Sequence, residues 1–162
     1  MRIKQHIASY FLILVILAVI TSCGGGLEKD DSLPEISMSE EDDFPLNCDT
    51  IYRGQNFVFH ATFTDNVELG AYSIDIHNNF NHHTHSTDIV ECKTDAVKTP
   101  VDPFIFLEEY EIPAKQTIYE ATVSIDVPAD IDNGDYHFLV RLTDASGWQV
   151  YKGISIKIVE AE

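Results

Sequence analysis

Asp132-Asn133-Gly134-Asp135-Tyr136-His137-Phe138-Leu139-Val140-Arg141-Leu142 is the stretch on which the fold turns. Its first half is a turn, because Asp, Asn and Gly tolerate tight backbone conformations. Its second half is a strand: Tyr136, Phe138, Val140 and Leu142 alternate with His137, Leu139 and Arg141, the period of a half-buried ribbon. The D-x-G-x-Y spacing has the form of a tyrosine corner, in which a Tyr at the start of a strand bonds back to the turn before it. Two packed antiparallel sheets are therefore expected. If Tyr136 and Phe138 point into the core, His137 points out.

The same alternation recurs on both sides. Pro34 to Met38 is a short strand candidate. Phe57, Phe59, Ala61 and Phe63 form one inward face, and Tyr72, Ile74 and Ile76 form another. Phe104 to Phe106 and Tyr110 to Ile112 make one or two short strands around Glu108-Glu109. Tyr119 to Val127 and Val150 to Val159 complete the set, with a hairpin turn at Asp144 to Gly147. No helical periodicity of useful length follows residue 23. Seven or eight strands at this spacing predict an all-β, immunoglobulin-like or fibronectin-type sandwich over residues 34–160. The usual inter-sheet cysteines are absent. Phe59 or Ala61, and Phe138, stand near the positions they would occupy.

Four of the seven histidines fall in His77-Asn78-Asn79-Phe80-Asn81-His82-His83-Thr84-His85. Imidazole is the commonest protein metal ligand. On the sandwich, the strand containing His77 and the strand containing His137 should be neighbours, with both rings on one exposed face. His82, His83 and His85 lie in an insert over 77–92 that can fold back over that face. The expected ligand set is His77, His137 and one or two of His82, His83 and His85. Asp75 or Asp88 would be an oxygen ligand or a hydrogen-bonding support. Three or four imidazoles suit zinc, copper(II) or nickel. His60 faces outward from the opposite sheet and is excluded. The plain alternative is a set of solvated surface histidines. Phe80 is read as an anchor packing the insert down. Thr64-Asp65-Asn66 and Thr143-Asp144 end two strands with acids, a weak calcium pattern. Trp148 and Tyr151 would cap the core or form a carbohydrate platform.

The amino terminus reads as export machinery. Tyr10 to Ile20 is apolar and too short to span a bilayer, which suits a signal peptide over residues 1–22. Ile20-Thr21-Ser22-Cys23 resembles the lipobox of bacterial lipoproteins, which implies acylation of Cys23. Gly24 to Gly26 would begin a flexible tether over 23–33. Leu27-Glu28-Lys29-Asp30-Asp31 is similar to the surface-export signal of Bacteroidetes lipoproteins. Asp31-Ser32-Leu33 and Asp49-Thr50-Ile51 resemble O-glycosylation acceptors of that group. The alternative is an ordinary signal peptide followed by an incidental Cys. With Cys23 lipidated, Cys48 and Cys92 remain, and an exported pair is expected to bridge. The competing fates are free thiols or thiol ligands beside the histidines.

The formal charge is −17. Both basic residues of the leader, Arg2 and Lys4, leave with it, so the exported chain is more acidic still. Such a chain attracts cations and repels nucleic acid, whose binding requires Lys and Arg. No nucleophile elbow, phosphate loop or nucleotide fingerprint is present. A non-enzymatic binding protein is expected, with a metal-dependent hydrolase or oxidase as the enzymatic alternative.

Taken together, Thr64-Asp65-Asn66, the His77–His85 run, Asp132 to His137 and Thr143-Asp144-x-x-Gly147-Trp148 resemble a family of uncharacterised Bacteroidetes lipoproteins with an immunoglobulin-like domain. The resemblance covers about residues 34–159. It implies the fold and an outer-membrane, surface-exposed location, and carries no activity. The function expected is a membrane-anchored module that binds zinc or copper through the histidines. The alternative is metal-independent adhesion to a surface protein or glycan.

Overall fold

Alternating apolar residues fold here as strands because each ribbon can bury one face only against another sheet. The computed structural model describes residues 29–38 and 42–161. The strands are β1 (Glu35–Ser37), β2 (Thr50–Arg53), β3 (Asn56–Thr64), β4 (Leu69–Asn78), β5 (Phe106–Glu111), β6 (Ile118–Asp126), β7 (Gly134–Asp144) and β8 (Gln149–Glu160). One sheet has the order β1-β3-β6 and the other β2-β8-β7-β4-β5. All pairings are antiparallel except β2 with β8. No helix occurs among the described residues, and the architecture is an all-β sandwich.

The core lies where the expected inward faces meet. Phe59, Ala61 and Phe63 of β3 oppose Ile74 and Ile76 of β4 and Phe138, Val140 and Leu142 of β7, all fully buried. Phe59 and Phe138 stand with ring centroids 5.5 Å apart, so an aromatic pair bridges the sheets where an inter-sheet disulfide would otherwise lie. Tyr136 forms the corner read from the sequence. Its hydroxyl donates to the Asp132 carbonyl at 2.6 Å and accepts the Phe104 N–H at 3.2 Å. Burial pushes the phenol up to about 12. Phe80 is 2% exposed and packs edge-on against Tyr136, anchoring the segment after β4 as expected.

Several expectations are corrected. β2 was not foreseen: four residues are too short for alternation to declare itself, and the strand exists because it pairs in parallel with β8. Of the one or two strands expected around Glu108 and Glu109, the chain forms one, the continuous edge strand β5. Both carboxylates face outward enough to stay solvated while the backbone pairs with β4. The insert begins later than expected, because His77 and Asn78 belong to β4. Trp148 and Tyr151 do not cap the core; they are 48% and 59% exposed. Cys48 and Cys92 are bridged, with Cα atoms 5.4 Å apart. The bridge ties the insert to the segment entering β2. The signal peptide and the Cys23 lipidation site lie outside the described residues.

Candidate metal centre

Register builds the centre. β4 and β7 pair so that His77 lies directly opposite His137, both on the face turned away from the core. The chain then leaves β4, is pinned by Phe80, and returns across β7 and β8. Thr87 holds this return against Gly153 of β8. Its N–H donates to the Gly153 carbonyl at 2.8 Å, and its Oγ1 accepts the Gly153 N–H at 3.0 Å. Further on, Asn47 Nδ2 donates to the Val90 carbonyl at 2.8 Å and Asn47 Oδ1 accepts the Ser155 N–H at 3.0 Å. The insert thus lies as a flap over the sheet. This corrects the expectation that His137 is exposed: it points away from the core but is only 2% exposed, because the flap covers it.

The flap delivers His83 and His85 to the strand pair. The centroid separations of the four rings are 5.6 Å (77–83), 5.4 Å (77–85), 5.6 Å (77–137), 4.9 Å (83–85), 5.0 Å (83–137) and 5.3 Å (85–137). An imidazole bound to zinc at 2.0–2.1 Å has its centroid about 3.2 Å from the ion, so four rings on a tetrahedral ion stand about 5.2 Å apart. A square-planar ion would give four separations of about 4.5 Å and two of about 6.4 Å. The near-equality of all six distances matches the tetrahedron.

Hydrogen bonds select the free nitrogen on three of the rings. His77 Nδ1–H donates to Asp75 Oδ1 at 2.9 Å, leaving Nε2 as the lone-pair donor. His83 Nδ1–H donates to Asn81 Oδ1, again leaving Nε2. His137 Nε2–H donates to the His83 carbonyl at 2.9 Å, leaving Nδ1. That Nδ1 is buried and has no hydrogen-bond partner. A neutral ring supported this way is oriented and made a better ligand. Donor atoms of His77, His83 and His85 lie within 4.8 Å of one another. His137 is not in that mutually adjacent set although its ring stands at the same spacing. Three donor atoms thus converge as the side chains lie, with the fourth ring packed beside them.

Electrostatics agree with a cation. Burial, opposed in part by the bond to the His83 carbonyl and joined by the neighbouring imidazoles, lowers His137 to about 4. Burial and then His85 and His77 also lower His83. These rings therefore resist protonation at neutral pH, which is the state a metal requires. A cavity of about 380 Å³ adjoins the flap, lined in part by His82, His83, Asp88 and His137.

Not every expected ligand converges. His82 adopts φ 56° in the turn after Phe80, and its Nε2 faces Asp135 Oδ2 at 3.9 Å. The turn that brings His83 inward carries its neighbour away. Asp75 supports His77, and Asp88 faces Lys152 Nζ at 3.6 Å. His60 sits on the other sheet, bonded to Asp43. Asn81 and Gly153 were missed. Asn81 had no signal beyond its proximity to His83. Gly153 interrupts an apolar strand, which is itself a sign of close backbone approach.

Among solved structures, the fold is similar to a "GspB Siglec domain" at TM-score 0.43 and 21% identity, covering 82% of this chain and 60% of that one. It is also similar to Spo0M, a sporulation control protein from Bacillus subtilis, at TM-score 0.39 and 10% identity, covering 80% of this chain and 49% of that one. The chain thus spans less than two thirds of the length of either. No curated protein sequence matches it. Residues 21–159 match the family model described as Domain of unknown function (DUF4625), and the chain belongs to that family.

Proposed function

We propose that this protein is a surface-exposed outer-membrane lipoprotein of the Bacteroidetes type, whose immunoglobulin-like domain binds zinc through His77, His83, His85 and His137. The observation that carries the metal reading is the set of six near-equal ring separations, from 4.9 to 5.6 Å. Their tetrahedral pattern favours zinc over copper(II) or nickel. Four nitrogen donors would fill the tetrahedron and leave no position for an activated water, which favours binding over hydrolysis. His85 is exposed, so the ion can exchange with solvent while the flap closes over His137. The domain would hold or hand over the ion, or use it to lock the flap as a surface for a partner. The lipid anchor rests on the apolar run and Ile20-Thr21-Ser22-Cys23, with removal of residues 1–22, a tether over 23–33 and the domain over 34–160.

Zinc titration of the purified chain against a competing chelator tests the reading. One ion per chain should bind, and the combined His77→Ala, His83→Ala, His85→Ala variant should lose it. Unchanged uptake in that variant, or none in the parent, would defeat the proposal. A second reading, metal-independent adhesion or glycan binding, draws on the exposure of Trp148 and Tyr151. Under it, partner binding survives the triple histidine variant and is lost in Trp148→Ala with Tyr151→Ala.

A further inference from the structure

The opposite rim of the sandwich gathers a second set of donors. Leu69, the first residue of β4, pairs with Asp144, the last of β7. Glu35 of β1 pairs with Thr64, the last of β3. Three strand ends meet there and each brings an aspartate: Asp30 ahead of β1, Asp65 after β3, and Asp144 closing β7. One carboxylate oxygen from each lies within 4.8 Å of the others. His77 is eight residues further along β4 than Leu69, so about 27 Å of strand separates this rim from the histidines.

All three carboxylates are half satisfied in the same way. Asp144 is 3% exposed. Its Oδ1 accepts the Trp148 N–H at 2.8 Å, while Oδ2 is buried with no hydrogen-bond partner. Asp65 Oδ1 accepts the N–H groups of Val67 and Glu68 at 2.8 and 2.7 Å, and its Oδ2 is likewise buried and unpartnered. Asp30 Oδ1 accepts the Ser32 N–H at 3.3 Å, and its Oδ2 repeats the pattern. Among the described residues, no Lys, Arg or His forms an ion pair with any of them. Buried carboxylate oxygens without donors are costly, and adjacent like charges add to the cost. A bound cation would relieve both.

We propose that Asp30, Asp65 and Asp144 form a calcium site that clamps the segment leading into β1 onto the rim of the sandwich. The donors are all hard oxygens, which suits calcium or magnesium over zinc or copper. Calcium bonds oxygen at about 2.3–2.6 Å, against about 2.0–2.1 Å and near-ideal octahedral geometry for magnesium, so three carboxylates held by separate strand ends suit calcium better. Calcium also accepts six to eight ligands in loose geometry, so waters and carbonyls can complete the shell. The clamp would act independently of the histidine centre and, on a lipidated chain, would set how the domain stands on its tether.

The purified full chain, stripped with EDTA, is melted with added calcium or magnesium. With an affinity of about 10⁻⁴–10⁻³ M, as in extracellular modules, about 2 mM calcium should raise Tm by about 2–6 °C. Asp30→Ala and Asp144→Asn should each abolish the shift. Asp144→Asn keeps an acceptor for Trp148, and in EDTA it should melt at or above the parent because repulsion is relieved. Trp148 is the sole tryptophan and adjoins the site, so bound terbium should emit on indole excitation and be displaced by calcium. His83→Ala should retain the whole response, which separates this site from the histidine centre. No shift in the parent, an undiminished shift in Asp30→Ala, or an equal shift with magnesium would overturn the proposal.

Discussion

Replacing Gly153 by alanine should abolish the proposed zinc binding while leaving the sandwich folded. A Cβ at this position would lie 2.2 Å from the His85 carbonyl oxygen and 2.7 Å from Leu139 Cδ2. Leu139 can rotate aside. The His85 carbonyl is backbone in the flap, and reaching an ordinary contact of 3.4 Å requires it to retreat by about 1 Å. Zinc–ligand distances tolerate only about 0.2 Å, so a shift of that size removes His85 from the ion. The hydrogen bonds between Thr87 and Gly153 would go with it, a loss of about 1–3 kcal/mol. Losing a ligand should exceed the roughly 10–100-fold affinity penalty typical of losing a ligand's supporting partner. Chelator competition measures the affinity, and circular-dichroism melts confirm that the β signal persists with Tm lowered by a few degrees. An alanine variant that binds zinc within about threefold of the parent would refute the account of the flap and of His85 as a ligand.

Stability of the metal-free chain should fall as pH drops from about 6.5 towards 4. The folded protein holds His137 near 4 while an unfolded His titrates near 6.5, so within that window the unfolded chain takes a proton that the folded chain refuses. The loss approaches about 3 kcal/mol, and urea denaturation should show a flatter acid limb for His137→Gln; parallel profiles would contradict this. Tyr136→Phe should cost about 1–3 kcal/mol in the same assay, because the Asp132 carbonyl and the Phe104 N–H lose their shared hydroxyl. Joint replacement of Cys48 and Cys92 by serine opens a loop of sequence separation 44 and should cost roughly 4 kcal/mol in denaturant. Hydrogen exchange of the segment before Cys92 should rise with it, and unchanged stability would show the bridge to be idle.

The fold was largely legible because its signals are local. Period-two alternation at Phe57 to Phe63 and at Tyr136 to Leu142 leaves one way to bury each face. The strand that escaped, β2, and the one whose extent was left open, β5, are edges held mainly by backbone pairing, which carries no side-chain pattern. The site was half legible. The facing of His77 and His137 follows from register between two recognisable strands. The choice of His83 and His85 over His82 depends on the turn at Phe80 and on the seat at Gly153. The third aspartate of the opposite rim was not legible at all, since Asp30 reads simply as part of an acidic linker.

Composition and alternation alone establish an acidic sandwich bearing outward histidines on adjacent ribbons, because burial of apolar faces is dictated residue by residue along each strand. Which imidazoles share a centre, how deeply His137 is covered, and which aspartates meet at the far rim depend on how a long irregular segment and the chain ahead of β1 dock on the finished sheets. Those contacts join residues remote in sequence, and their geometry is set by backbone approach at Gly153, by the Asn47 side chain bridging Val90 and Ser155, and by the meeting of strand ends, none of which leaves a periodic trace in the chain.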